Sequence, residues 1–129
     1  MQALLGLLRH GLHSLLGNTI QTMEETGRTV CDVTNTGPWE CTMDLARQVW
    51  DKSRHVEIFL KLLERVEGYS GEYPETTAET SSAGLAGDAL AQLIELAQKI
   101  GDPVSAHALD FVLADASIRV RKDQPYAIA

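Results

Sequence analysis

Apolar residues recur along the middle of the chain at alternating steps of four and three, the spacing of a helix face packed in a bundle. The stretch from Trp39 to Val66 has the clearest pattern, and six of its seven seam positions are apolar: Leu45, Val49, Val56, Phe59, Leu63 and Val66. The seventh is Lys52, and His55 follows it one turn later on the same face. Because an unpaired lysine is costly to bury, we expect a compensating polar centre at this point.

The periodicity predicts four helices, at Gln2 to Thr26, Trp39 to about Glu67, Leu85 to Ile100 and Pro103 to Lys122. Pro38 suits the start of helix 2, and Gly68 suits its end. Asp102, between a glycine and a proline, is expected to cap helix 4. The predicted inner face of helix 4 consists of Val104, Ala108, Phe111, Asp115 and Ile118.

The segment from Gly68 to Gly84 has no apolar periodicity and is long for a connection in a compact domain. Fully extended at ~3.3 Å per residue it reaches ~50 Å. Helix 2, at ~1.5 Å per residue, is about 40 Å long. The segment can therefore return along the whole bundle, so that helix 3 runs parallel to helix 2. We expect residues 1–129 to form one all-α domain with a long crossover between helices 2 and 3.

Composition narrows the classes of partner. Aromatic residues make up only 5% of the chain, so the core is expected to be mostly aliphatic. A net charge of −7 argues against nucleic acid, which is bound through clustered cations. The apolar start of the chain is interrupted by Arg9, His10 and His13, which argues against a membrane span.

The two cysteines, Cys31 and Cys41, have no metal-binding or redox spacing and are expected to be free thiols of a cytoplasmic protein. Helix 2 is predicted to be longer than helices 3 and 4. Its Leu62, Leu63 and Val66 end would then lack cover, which a homodimer or a different partner protein could supply.

Helix 2 also carries a family resemblance. LARQVWDKSRHVEIFLKLLE, followed by GYSGEYP, resembles a bacterial branch of the ferritin-like diiron superfamily, in which the second helix carries a WDEARH-type signature. GDPVSAHALDFVLADASIRVR resembles the fourth helix of that branch, which usually reads close to DEIxHV. The resemblance implies a ferritin-like four-helix bundle. In such families, glutamates and Glu-x-x-His pairs hold two irons inside the bundle.

Carried over residue by residue, the resemblance implies that most metal ligands are replaced. Lys52 stands at the glutamate position of helix 2, while His55 keeps the histidine position. Ala116 and Arg119 stand at the corresponding positions of helix 4. By register, Gly11 takes the glutamate position of helix 1, and Glu95 is the candidate in helix 3. Because cationic Lys52 and Arg119 would repel a metal, we expect no metal and no cofactor here.

Three interpretations of this centre stay open. In the first, Lys52, His55, Asp115 and Arg119 form a satisfied polar network, with Asp115 and Arg119 paired four residues apart. In the second, Lys52, His55 and Arg119 are catalytic residues of a pocket for an organic anion, with Gln48, Asp51 and Asp115 as substrate-binding groups. In the third, a metal persists through other ligands, drawn from Glu40, Asp44, Asp51, His55, His10 and His13. We expect His10 and His13 to lie at the surface, and Trp39 and Trp50 to serve in packing or in an interface.

The sequence therefore favours a role in small-molecule metabolism, natural-product metabolism included, as a metal-free tailoring enzyme or as a non-catalytic partner. The alternative is a metal-dependent oxidase or oxygenase with an altered ligand set.

Overall fold

Four α-helices and no strand form the part of the chain that the structure describes. This computed structural model describes the backbone of residues 1–74 and 83–127, and the side chains of residues 1–74 and 88–115. The helices are α1 (Gln2–Val33), α2 (Trp39–Arg65), α3 (Ala83–Ile100) and α4 (Pro103–Ala127). The prediction of an all-helical chain with four helices is confirmed.

Helix α1 continues past its predicted end at Thr26 and has 32 residues. Threonine hydroxyls donate to the carbonyls four residues earlier, as Thr26 does to Thr22 over 2.8 Å and Thr29 to Glu25 over 3.0 Å. These hydroxyls are therefore satisfied without leaving the helix. Gly27 lowers helix propensity but does not remove a backbone hydrogen bond, so the helix passes through it.

The end of α2 differs in detail from the prediction that Gly68 stops it. Glu67 adopts the left-handed conformation, with φ at 62°, and the Gly68 amide donates to the Leu63 carbonyl over 2.8 Å. Gly68 is needed for close packing instead. A Cβ there would lie 2.5 Å from the Leu63 side chain and 3.0 Å from that of Arg9.

The turn between α3 and α4 follows the prediction. Gly101 has φ at 86°, and the Asp102 carboxylate accepts hydrogen bonds from the Ser105 amide over 3.2 Å and its hydroxyl over 2.6 Å. From α2, Arg65 donates to Asp102 and to the Ser105 hydroxyl, each over 3.3 Å. The residues that cap α4, Asp102 and Ser105, therefore also bind the end of α2.

Contacts between helices establish their directions. Arg9 near the start of α1 donates to the Val66 carbonyl at the end of α2, so these helices are antiparallel. Arg65 of α2 contacts Asp102, whereas His55, ten residues earlier, contacts Asp115, so α2 and α4 are also antiparallel. The short turn at Gly101 makes α3 antiparallel to α4. It follows that α3 runs parallel to α2.

The arrangement of neighbours fits these directions. Helix α1 packs against α2 and α3, and α4 packs against α3 and α2. Among the described residues, the backbones of α2 and α3 do not come within 8 Å (Cα–Cα) of each other, so these helices lie across a diagonal of the bundle.

The core is concentrated at the end of the bundle where α1 begins and α2 ends. Its buried apolar side chains come from all four helices: Leu8, Leu12, Leu15, Leu16, Phe59, Leu62, Leu63, Leu90, Leu93, Leu109 and Val112. The expectation that Leu62 and Leu63 lack cover is wrong, because their exposed fractions are 3% and 0%. At the opposite end, no described residue of α1 after Gly17 is fully buried.

The predicted inner face of α4 is also partly wrong. Val104 and Phe111 are 54% and 47% exposed, and the buried positions are Ser105, Ala106, Leu109 and Val112. Arg65 of α2 contacts both Asp102 and Ser105, so Ser105 faces α2 in the first turn of α4. Ile118 lies outside the residues whose side chains are described.

Two smaller predictions can be compared with the structure. No helix in the described part of the chain is long and apolar enough to cross a membrane. Cys31 and Cys41 are both free thiols, as predicted, the first exposed and the second half-buried.

We predict that Gly68→Ala lowers the free energy of unfolding by about 1–3 kcal/mol, because the new methyl group overlaps a Leu63 side chain that is fully buried. Gly27→Ala is the matched control. Nothing lies within 4 Å of a Cβ at Gly27, which is inside a helix. That control should raise stability by up to ~1 kcal/mol. Urea unfolding of both variants tests the pair, and equal effects would contradict the close packing at Gly68.

We predict a second effect at Asp102, whose stabilising contribution depends on pH. Burial raises the pKa of this carboxyl, but hydrogen bonds from Ser105 and the charge of Arg65 outweigh it, so the pKa lies below its ordinary value of 3.8. A lowered pKa means that the contribution is present above about pH 4 and is lost as the pH falls through the folded-state pKa.

Asp102→Ala should therefore cost about 1 kcal/mol at neutral pH, as the loss of a helix cap does. The difference between the two proteins should shrink in acid. Urea unfolding at pH 7 and pH 3 measures it, and a difference that stays constant between these pH values would contradict the assignment.

Candidate functional site

The polar centre that the sequence predicts exists on the inner face of α2. Lys52 and His55 are 7% and 4% exposed, in a helix whose other buried residues are mostly apolar. The Nε2 atom of His55 lies 3.1 Å from Oδ2 of Asp115 on α4. Since an ionised carboxylate only accepts hydrogen bonds, Nε2 carries the hydrogen in this pair. The helix pair α2–α4 is therefore joined by a buried imidazole.

Arg54 belongs to the same cluster and was missed by the sequence reasoning. Its Nη2 atom donates to Asp51 over 3.0 Å and to Asp115 over 3.2 Å, and its guanidinium stacks over the Trp50 ring at 4.6 Å. The Asp51–Arg54 spacing of three residues was the available signal, since such residues are neighbours on a helix surface. The contact of Arg54 with α4 could not be read from spacing, because it depends on how the helices are aligned.

Arg54 changes the predicted roles of the two aspartates. Asp115 accepts hydrogen bonds from Arg54 and His55 of α2, and its expected pair with Arg119 stays a prediction. The side chain of Arg119 lies outside the described residues, as does that of Ala116. Asp51 points toward Arg54 at the edge of the cluster. Gln48 is half-buried and lies four residues before Lys52, on the same side of the helix.

The assignment of Gly11 to the level of Lys52 is wrong. Arg9 contacts Val66, so Gly11 lies near the end of α2. Lys52 precedes Val66 by fourteen residues, or ~21 Å along the helix axis. A Cβ at Gly11 would lie 2.5 Å from Leu93, which places α3 at the same level as Gly11. Glu95 is exposed and lies close to that level, so neither residue faces the Lys52 centre.

The residues considered as alternative metal ligands do not converge. His55 binds Asp115, Asp51 binds Arg54, and Glu40 is exposed. Across the residues whose side chains are described, no group of three or more His, Cys, Asp or Glu is placed to hold a metal ion.

His13 lies in the interior, and the expectation that it is a surface residue is wrong. It is 3% exposed, and its Nε2 atom accepts hydrogen bonds from the Gly71 amide over 3.1 Å and the Tyr73 amide over 3.5 Å. The Tyr73 ring packs edge-on against His13 and against His10, with centroids 5.3 Å and 4.7 Å apart. His10 itself is exposed, as predicted.

These contacts anchor the first part of the connection after α2. Gly68 packs beside Arg9, and Gly71 and Tyr73 bind His13, so the chain runs along α1 away from the end of α2. That direction leads back along the bundle. No local sequence signal marks His13 as the anchor, because its two hydrogen-bond donors lie 58 and 60 residues later.

An exposed apolar stripe runs along the outer face of α2. Trp39, Met43 and Trp50 are 66%, 51% and 60% exposed, and exposed Ala46 lies between them. Their spacing of four, three and four residues places them on one side of the helix. The two tryptophans therefore do not pack in the core, and a role in an interface stays a prediction.

The comparisons with known proteins identify no relative. No protein-family model, no curated protein and no solved structure matches this chain.

We predict that His13→Leu lowers the free energy of unfolding by roughly 1–3 kcal/mol, because it leaves the Gly71 and Tyr73 amides without their acceptor. His13→Gln should cost less, since an amide oxygen can accept the same hydrogen bonds. Hydrogen exchange at these two amides measures the local effect. Unchanged protection in the leucine variant would show that His13 is not their partner.

Proposed function

We propose that this protein is a ferritin-like bundle of small-molecule metabolism in which a lysine–histidine centre on α2 replaces the diiron site. The centre binds a small organic anion without a metal. The observation that supports the proposal best is the buried pair of His55 with Asp115, 3.1 Å apart, with buried Lys52 one turn away. Two parallel helices joined by a long crossover are also the connection of ferritin-like bundles, which supports the fold assignment.

The His55–Asp115 pair has the chemistry of an oriented acid–base group. A carboxylate that accepts the Nε2 hydrogen holds the imidazole in one tautomer and orients it for acid–base chemistry on a bound molecule. Lys52 supplies the positive charge that attracts a carboxylate or polarises a carbonyl group. Arg119 and Gln48 are proposed as further binding groups, and Asp51 acts through Arg54 to position Asp115.

The competing interpretation is a structural network. Buried ionic groups can often be replaced by apolar groups of similar size with no loss of stability, and sometimes with a gain. Activity and stability therefore respond differently to the same substitution. Replacing a residue that binds the ligand lowers the affinity of the protein for it. Replacing a residue with only a structural role leaves that affinity unchanged.

We predict that Lys52→Leu weakens anion binding at least tenfold. The test is calorimetric titration with pyruvate, succinate and benzoate, which present one or two carboxylates on small frames of different shape. At least one should bind the unmodified protein. His55→Gln should retain binding but lose any pH dependence of binding that comes from the imidazole. Lys61→Leu is the matched control, since Lys61 is an exposed lysine of the same helix, paired with Glu57 over 3.1 Å.

Equal binding by the Lys52→Leu and Lys61→Leu variants would contradict the proposal, as would a more stable Lys52→Leu protein with unchanged affinity. Metal analysis of the purified protein addresses the metal-dependent oxidase. A stoichiometric transition metal that is lost with His55→Gln would replace the metal-free proposal with that alternative.

A second proposed role is that of a non-catalytic partner in the same metabolism. The exposed stripe of Trp39, Met43 and Trp50 favours it, because such patches mark interaction surfaces. In that role the protein docks by the outer face of α2, and homodimers and heteromers use the same surface.

A further inference from the structure

A groove between α1 and α3 forms a cleft at the surface of the bundle. Its volume is about 510 Å³, within the range of sites that hold small ligands. On α1 it extends from Leu4 to Asn18, fourteen residues or ~21 Å along the helix axis. The groove is therefore long and narrow.

The walls of the groove are mainly apolar. Leu4, Leu7 and Leu15 of α1 face Leu93 and Leu96 of α3, and Leu7 is 60% exposed. Gly11 forms part of the floor, where a side chain would collide with Leu93. The two helices are thus close at Gly11, while Leu7 on the wall of the groove remains open to solvent. This surface suits a hydrocarbon chain laid along the helices.

The ends of the groove differ in charge. Because α3 is antiparallel to α1, Lys99 near the end of α3 lies level with Leu4, while Asn18 and Ala89 lie at the other end. Glu95 lies one turn from Lys99, further into the groove. Lys99 attracts a negatively charged head group, and Glu95 repels it. A bound amphiphile therefore lies with its head group at the Lys99 end of the groove.

We propose that this groove binds a single-chain fatty carboxylate, with the chain along the leucines and the carboxylate at Lys99. The site is independent of the polar centre, because the α1–α3 side of the bundle is opposite to the α2–α4 side that holds His55 and Asp115. Failure of one proposal leaves the other intact. A His55→Gln protein should bind the fatty carboxylate as the unmodified protein does.

The test compares tetradecanoate with tetradecanol and tetradecyltrimethylammonium, all below their aggregation concentrations, by calorimetric titration. We expect tetradecanoate to bind most tightly. Lys99→Glu should weaken its binding at least tenfold, and Leu7→Glu, which places a charge on the wall, should do the same. The matched controls are Lys61→Glu and Leu60→Glu on α2, at positions that are exposed and outside the groove. All four substitutions are at exposed residues, so folding should be retained, and circular dichroism checks it.

Three results would overturn the proposal. One is the absence of tetradecanoate binding. Another is equal affinity for the three amphiphiles with no effect of Lys99→Glu, which would reflect general hydrophobic adsorption. The third is a Leu7→Glu protein that sediments as a smaller species than the unmodified protein in the absence of amphiphile, because the groove would then be an interface between copies of the chain.

Discussion

The contact between α2 and α4 includes polar groups at two levels, and these determine how α4 lies against α2. At one level Arg65 binds Asp102 and Ser105, and ten residues earlier His55 binds Asp115. Two such contacts, well separated along both helices, define the direction and the register of α4. The tight turn at Gly101 then determines the direction of α3.

The bundle divides into two ends with different physical properties. Where α1 begins and α2 ends, leucines of all four helices exclude water, and the chain after α2 is anchored on Arg9 and His13. At the other end, the side chains in the first turns of α2 are less buried, and most of them are polar or aromatic. Lys52 and His55 lie between the two regions. An ionisable centre is less costly there than in the leucine core, since polar partners are within reach.

The proposed polar centre and the proposed groove depend on different structural features of the bundle. The centre depends on buried charge, with Arg54 neutralising Asp51 and Asp115 beside the imidazole. The groove depends on incomplete packing, in which Gly11 brings α1 and α3 together while Leu7 stays open to solvent. Both follow from the same topology, because the diagonal placement of α2 and α3 leaves each side of the bundle formed by a different helix pair.

The sequence by itself determined the number of helices, the α2 seam, the Asp102 cap and the burial of Lys52 and His55, since these depend on periodicity and local hydrogen bonding. Tertiary structure alone decided the register of Gly11, the inner face of α4, the role of Arg54 and the burial of His13. Each of these depends on the height and rotation of one helix against another, and hence on contacts between residues roughly forty to sixty positions apart. Periodicity shows which side of a helix is inside, but it carries no information on which residue of the neighbouring helix lies opposite.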